Sequence, residues 1–107
     1  MARDNNHDIA DIRGGEYSDW ISGTAKYTVD ADYEAYAFQP GSSGVTISAA
    51  TWQESQNTTE VAVTDTTKSQ WLGRAVSTGP IIFMNPVTTI TLSANDGLLY
   101  CRKTNWR

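Results

Sequence analysis

Short runs rich in Thr, Val, Ile, Tyr and Trp recur along this chain every eight to twelve residues, and residues that favour turns separate most of them. Branching or bulk near Cβ crowds a helix but suits the pleated, half-buried surface of a sheet. The runs are Thr24–Val29, Tyr33–Phe38, Val45–Ala50, Thr59–Thr64, Trp71–Val76, Pro80–Met84, Val87–Ala94 and Leu98–Lys103. Asp30-Ala31-Asp32, Pro40-Gly41-Ser42-Ser43-Gly44, Asp65-Thr66-Thr67-Lys68, Thr78-Gly79-Pro80 and Asn85-Pro86 punctuate them. This spacing predicts an all-β fold, an antiparallel β-sandwich of about eight short strands. Eight is also the jelly-roll number.

Asn95-Asp96-Gly97 is the sharpest local feature. Asp-Gly accepts the positive φ angles of a two-residue hairpin turn, so Val87–Ala94 is expected to pair with Leu98–Lys103. That register puts Ile90, Leu92, Ala94, Leu99 and Cys101 on an inner face and Thr89, Thr91, Ser93, Tyr100 and Arg102 outside. Alternation elsewhere points Val45, Ile47 and Ala49 inward together, likewise Val61 with Val63, and Tyr36 with Phe38.

A chain of 107 residues fits one domain, and 39 % apolar residues supply one core without a metal or disulfide staple. Residues 1–19 read as a polar, extended N-terminal arm, with Ile9 and Ile12 as its buriable side chains. Residues 20–107 read as a single sandwich domain. A net charge of −4 argues against a nucleic-acid partner, since phosphate binding needs a basic patch. No apolar run reaches about 18 residues, which argues against a membrane span. The polar start, Met1 to Asn6, lacks the apolar segment of a secretion signal, so synthesis in the cytoplasm is expected.

Catalytic constellations are not evident. His7, the sole histidine, lies in the arm, where a general base would lack fixed geometry. Cys101, on the inner face, is expected to be an inert packing residue. Gly41-Ser42-Ser43-Gly44 lacks the strand-to-helix setting of a hydrolase elbow. Asp30, Asp32 and Glu34 alternate but miss the glycine and glutamate positions of a calcium loop, so a solvated turn is expected. Asn57-Thr58-Thr59 matches a glycosylation triplet, a pattern common by chance. These readings predict no enzyme, cofactor or metal. Trp20, Trp52, Trp71 and Trp106 suit either burial in core and interface or a sugar-stacking surface, and burial is the favoured expectation. Trp106, beyond the last strand, is expected to anchor the C-terminus on a neighbour.

The segment from Gln70 to Arg102 contains Gln70-Trp71-Leu72-Gly73-Arg74, Gly79-Pro80-Ile81-Ile82-Phe83-Met84-Asn85-Pro86, Ile90-Thr91-Leu92-Ser93 and Leu98-Leu99-Tyr100-Cys101-Arg102. It resembles the closing section of small virion proteins of tailed bacteriophages, and Tyr33–Phe38 followed by Pro40-Gly41 fits the same pattern. The resemblance covers about the last two thirds of the chain and carries no catalytic signature. It implies a capsid decoration or cement protein, a β-sandwich or jelly-roll module on the virion shell. Such modules are dimers or trimers that bridge major capsid proteins or other virion proteins. Ile9, Ile12, Trp20 and Trp106 are the expected partner-binding residues. The alternative is a head-fibre or tail-appendage module that binds a receptor or carbohydrate. An enzyme using Asp30, Asp32 and a tyrosine is the remaining, least supported reading.

Overall fold

The longest strand is interrupted by the one residue that cannot donate to a ladder. In the computed structural model, which describes residues 16–64, 67–77 and 79–106, Pro86 lies inside a twelve-residue strand. The described residues form eight strands and no helix. They are β1 (Glu16–Ser22), β2 (Tyr27–Thr28), β3 (Tyr33–Pro40), β4 (Val45–Trp52), β5 (Val61–Ala62), β6 (Ala75–Val76), β7 (Ile81–Leu92) and β8 (Asp96–Lys103). The strands run β1-β8-β3-β7-β4-β5, with β2 also on β7 and β6 also on β4. Every named pair is antiparallel. The all-β antiparallel expectation is met.

Two expected strands, Pro80–Met84 and Val87–Ala94, are thus one strand. The break foreseen at Asn85-Pro86 survives as a shift of register. Ala35 of β3 opposes Val87, whereas Ala37 opposes Ile82, so the intervening β7 residues bow out of the ladder. Pro86 has no N–H to pair, so a bulge loses least at that position. Before the bulge β7 pairs with β3 alone; at Val87 it meets both β3 and β4, and beyond Val87 it pairs with β4 and β2. A strand that changes neighbours at a bulge is how a sandwich turns its corner. Tyr17, Phe38, Ile81, Leu99 and Cys101 from one side of that corner share a core with Ile47, Ala50, Trp52, Ile90 and Leu92 from the other.

The hairpin expectation is overturned. β8 lies between β1 and β3 and does not pair with β7. Asp96 and Gly97 are its first residues, and the positive φ of 68° falls one residue earlier, on Asn95. Asparagine tolerates that conformation. The link from β7 to β8 is pinned: Ser93 N donates to Thr46 O, Asn95 Nδ2 to Gly44 O, and Gly23 N to Asn95 O. Ile90, Leu92, Leu99 and Cys101 are buried as expected, but Ala94 is exposed in this link and Thr89 is buried.

Bulges also explain the other phase errors. β3 carries an extra residue opposite β8, since Ala35 faces Cys101 and Ala37 faces Tyr100. Tyr36 is that residue, and it joins the outer side while Phe38 is fully buried. A shift between Ile47 and Ala49 puts Ala50 inward in place of Ala49. Val63 is buried, whereas Val61 is exposed. The strand expected over Thr24–Val29 shrinks to β2. Those over Thr59–Thr64 and Trp71–Val76 shrink to β5 and β6. Conversely, Glu16 to Asp19, assigned to the arm, form the first half of β1.

Candidate interaction face

Residues opposite each other across antiparallel strands share a side of the sheet. The register therefore builds one outer surface on β1, β8, β3 and the start of β7. Trp20 faces Leu98, which faces Gln39; Ser18 faces Tyr100, which faces Ala37, which faces Ile82; Glu16 faces Arg102, which faces Glu34. Met84 follows Ile82 by two residues and takes the same side. Trp20 is 60 % exposed, Ile82 61 % and Met84 72 %. Of the four large apolar side chains exposed among the described residues, only Val61 lies elsewhere. Scattered apolar residues need no explanation, whereas several on one sheet face mark a contact surface.

Polar groups at one end of this face hold one another. Tyr36 donates its hydroxyl to Glu16 Oε1 at 2.8 Å and stacks obliquely near Tyr100, ring centres 6.3 Å apart. The Arg102 guanidinium sits 5.2 Å from the centre of the Tyr36 ring and donates through Nε to Glu34 Oε2 at 2.9 Å. Partial burial, then the Glu16 carboxylate, push the Tyr36 hydroxyl up to about 12. The Glu34 side chain is only 5 % exposed, and its Oε1 has no hydrogen-bond partner among the described residues. It borders a small groove of about 100 Å³ with Tyr36, Met84, Pro86, Arg102 and Trp106.

A second groove, of about 300 Å³, runs beside Trp20 and is lined by Ile21, Lys26, Tyr27, Ile90 and Leu92. Tyr27 donates its hydroxyl to Asp19 Oδ2. Burial, then that carboxylate, raise Tyr27 above the ordinary phenol range. Burial also raises Tyr17, and it pushes the Cys101 thiol up to about 12. Each of these shifts keeps an acid protonated at neutral pH, so these phenols and this thiol pack and donate rather than attack.

Ile9, Ile12, His7 and the rest of residues 1–15 lie outside the described residues. Trp20 is exposed on the open face. Trp106 is fastened to its own domain: its O accepts from Asn57 N at 2.8 Å and Gln53 Nε2 at 3.1 Å, and its N–H donates to Thr104 Oγ1. Its ring borders the small groove. Trp52 is buried in the core and offers no stacking platform, and the partly buried Trp71 packs against it at right angles with ring centres 6.3 Å apart. Asp30 and Asp32 form an exposed turn, in which Asp32 N donates to Asp30 Oδ1. Glu34 departs from the solvated trio because Arg102 draws it into the sheet. Among the described residues, no three His, Cys, Asp or Glu gather as a metal site, and no helix is long and apolar enough to cross a membrane.

Sequence reasoning missed Ile82, Met84 and the Glu34–Arg102 pair. The unbroken apolar run Ile81-Ile82-Phe83-Met84 held the clue, because alternation then forces apolar side chains onto both faces. Compared with family models, curated proteins and solved structures, the chain matches none.

Proposed function

We propose that this protein is a structural, non-enzymatic virion module that attaches to the shell of a tailed phage through the open face of β1, β8, β3 and β7, decorating or cementing it. The observation that carries this reading is the grouping of Trp20, Ile82 and Met84 on that face. We take the proposed partner, a major capsid protein or another shell protein, from the resemblance of residues 70–102 to small phage virion proteins. Many copies, arranged as dimers or trimers, would multiply a modest contact across a lattice.

The test is attachment to isolated shells assembled without the protein. Wild type is expected to sediment with the shells at saturable stoichiometry. Recovery of all protein in the supernatant would count against a shell role. A receptor- or carbohydrate-binding appendage is the second reading, favoured by the groove beside Trp20. Its volume of about 300 Å³ sits at the lower end of small-molecule sites, about 300–1,000 Å³. Glycan binding that disappears in Trp20→Ala, with no shell attachment by wild type, would favour it.

A further inference from the structure

We propose that the small groove between Met84 and Trp106 receives the cationic head of a lysine or arginine side chain presented by the protein partner. The inference rests on the open face being a protein contact surface, because the groove opens at its rim. Its chemical basis is Glu34. This carboxylate is 5 % exposed, one oxygen accepts from Arg102 at 2.9 Å, and the other, Oε1, has no donor among the described residues. A buried carboxylate oxygen calls for a donor, and a positively charged one also answers its charge.

Charge, shape and size agree on the occupant. Among the described residues, Glu16, Glu34 and Arg102 leave this row of the face one positive charge short of neutrality. The aromatic walls Tyr36 and Trp106 favour a cation, and Arg102 already lies 5.2 Å from the Tyr36 ring centre. At about 100 Å³ the groove is well below the roughly 300–1,000 Å³ of small-molecule sites, so it admits a side-chain head and not a sugar. A hard metal ion would want six or more oxygens, and among the described residues no three His, Cys, Asp or Glu gather as a metal site. The exposed, unbranched Met84 can swing aside for the incoming head and then cover its apolar stem.

The full chain titrated by nitrogen-15 NMR with N-acetyl-arginine methylamide and N-acetyl-lysine methylamide tests this, with the norleucine analogue as a neutral control. The cationic probes are expected to give saturable millimolar shifts at Glu34, Tyr36, Met84, Arg102 and the Trp106 indole, and the neutral probe none. Glu34→Gln should weaken binding at least tenfold. Trp106→Ala should weaken it several-fold, and it serves if Glu34→Gln does not fold. Equal shifts from the norleucine probe, or unsaturable shifts spread over surface carboxylates, would overturn the proposal. Either result leaves shell attachment through Trp20, Ile82 and Met84 to be judged separately.

Discussion

Gly97 seats the ring of Phe38. A Cβ at position 97 would overlap the edge of that ring and stand 2.6 Å from the carbonyl oxygen of Gln39. Phe38 and Gly97 lie on adjacent strands, and Phe38 is fully buried, so the bare glycine is the space its ring fills. Gly97→Ala is expected to lower unfolding free energy by about 3 kcal/mol through overpacking. Adding Phe38→Leu should recover part of that loss, since two residues in contact do not act additively. Urea unfolding of the two single variants and the double variant measures the coupling. An alanine at position 97 that is tolerated within about 0.5 kcal/mol would contradict the seat.

Arg102 and Glu34 make an asymmetric pair, one about half exposed and the other buried. Arg102→Ala strands a buried carboxylate and is expected to cost about 2–3 kcal/mol, less than a fully buried pair because Arg102 still meets solvent. Replacing both with apolar residues, Glu34→Leu with Arg102→Met, removes the stranded charge and should return stability to within about 1 kcal/mol of wild type. A double variant as unstable as Arg102→Ala would show that charge is not the cause.

Stability should fall at alkaline pH. Burial raises the Cys101 thiol from 9.0 to about 12, and Tyr36 also rises to about 12. Both groups are therefore protonated when folded and give up protons more easily when unfolded. Above pH 9 the unfolded chain binds fewer protons, so unfolding free energy declines as pH rises, by up to about 1.4 kcal/mol per pH unit for Cys101. Below pH 9 this contribution is fully present. Denaturation at pH 7 and pH 8 should agree, with a decline between 9 and 10 that Cys101→Ala makes shallower, the raised tyrosines supplying the rest. The native thiol should resist a disulfide reagent at pH 8 and react once unfolded. Fast native labelling would show that Cys101 is not enclosed.

Gln53 ties the end of the chain to the loop after β4. Its Nε2 donates to Thr58 O at 2.8 Å and to Trp106 O at 3.1 Å, and the residue is buried. Gln53→Ala is expected to cost about 1–2 kcal/mol by removing the two hydrogen bonds that its buried amide donates. Hydrogen exchange at the Asn57 amide, which donates to Trp106 O, should quicken. Unchanged exchange would place the hold on the C-terminal residues elsewhere.

The fold class was legible because it depends on residue type: β-branched and aromatic runs between turns leave few alternatives to a sheet. Cys101 and the inward Ile90, Leu92 and Leu99 followed from alternation, and the burial of Trp52 from its residue type. Pairing was less legible, because Gly97 satisfies two local demands equally well. Asp96-Gly97 can turn a hairpin, but the Phe38 ring, distant in sequence, uses the same glycine. Bulges at Tyr36 and after Ile47 reset the alternation without leaving a proline or glycine as a marker. β1 was hidden because Glu16, Ser18 and Asp19 look like a polar tail; only the partner β8 shows that Tyr17 and Ile21 point inward. Of the candidate contact residues, Trp20 was found from its type, whereas Ile82 and Met84 needed the sheet register.

The open face is tested most directly by shell sedimentation of wild type beside a variant carrying Trp20→Ala, Ile82→Glu and Met84→Glu. All three side chains are well exposed, so the variant's thermal unfolding should change little, as surface substitutions do. Wild type is expected to pellet with the shells and the folded variant to stay in the supernatant. A variant that pellets as fully as wild type would contradict attachment through this face.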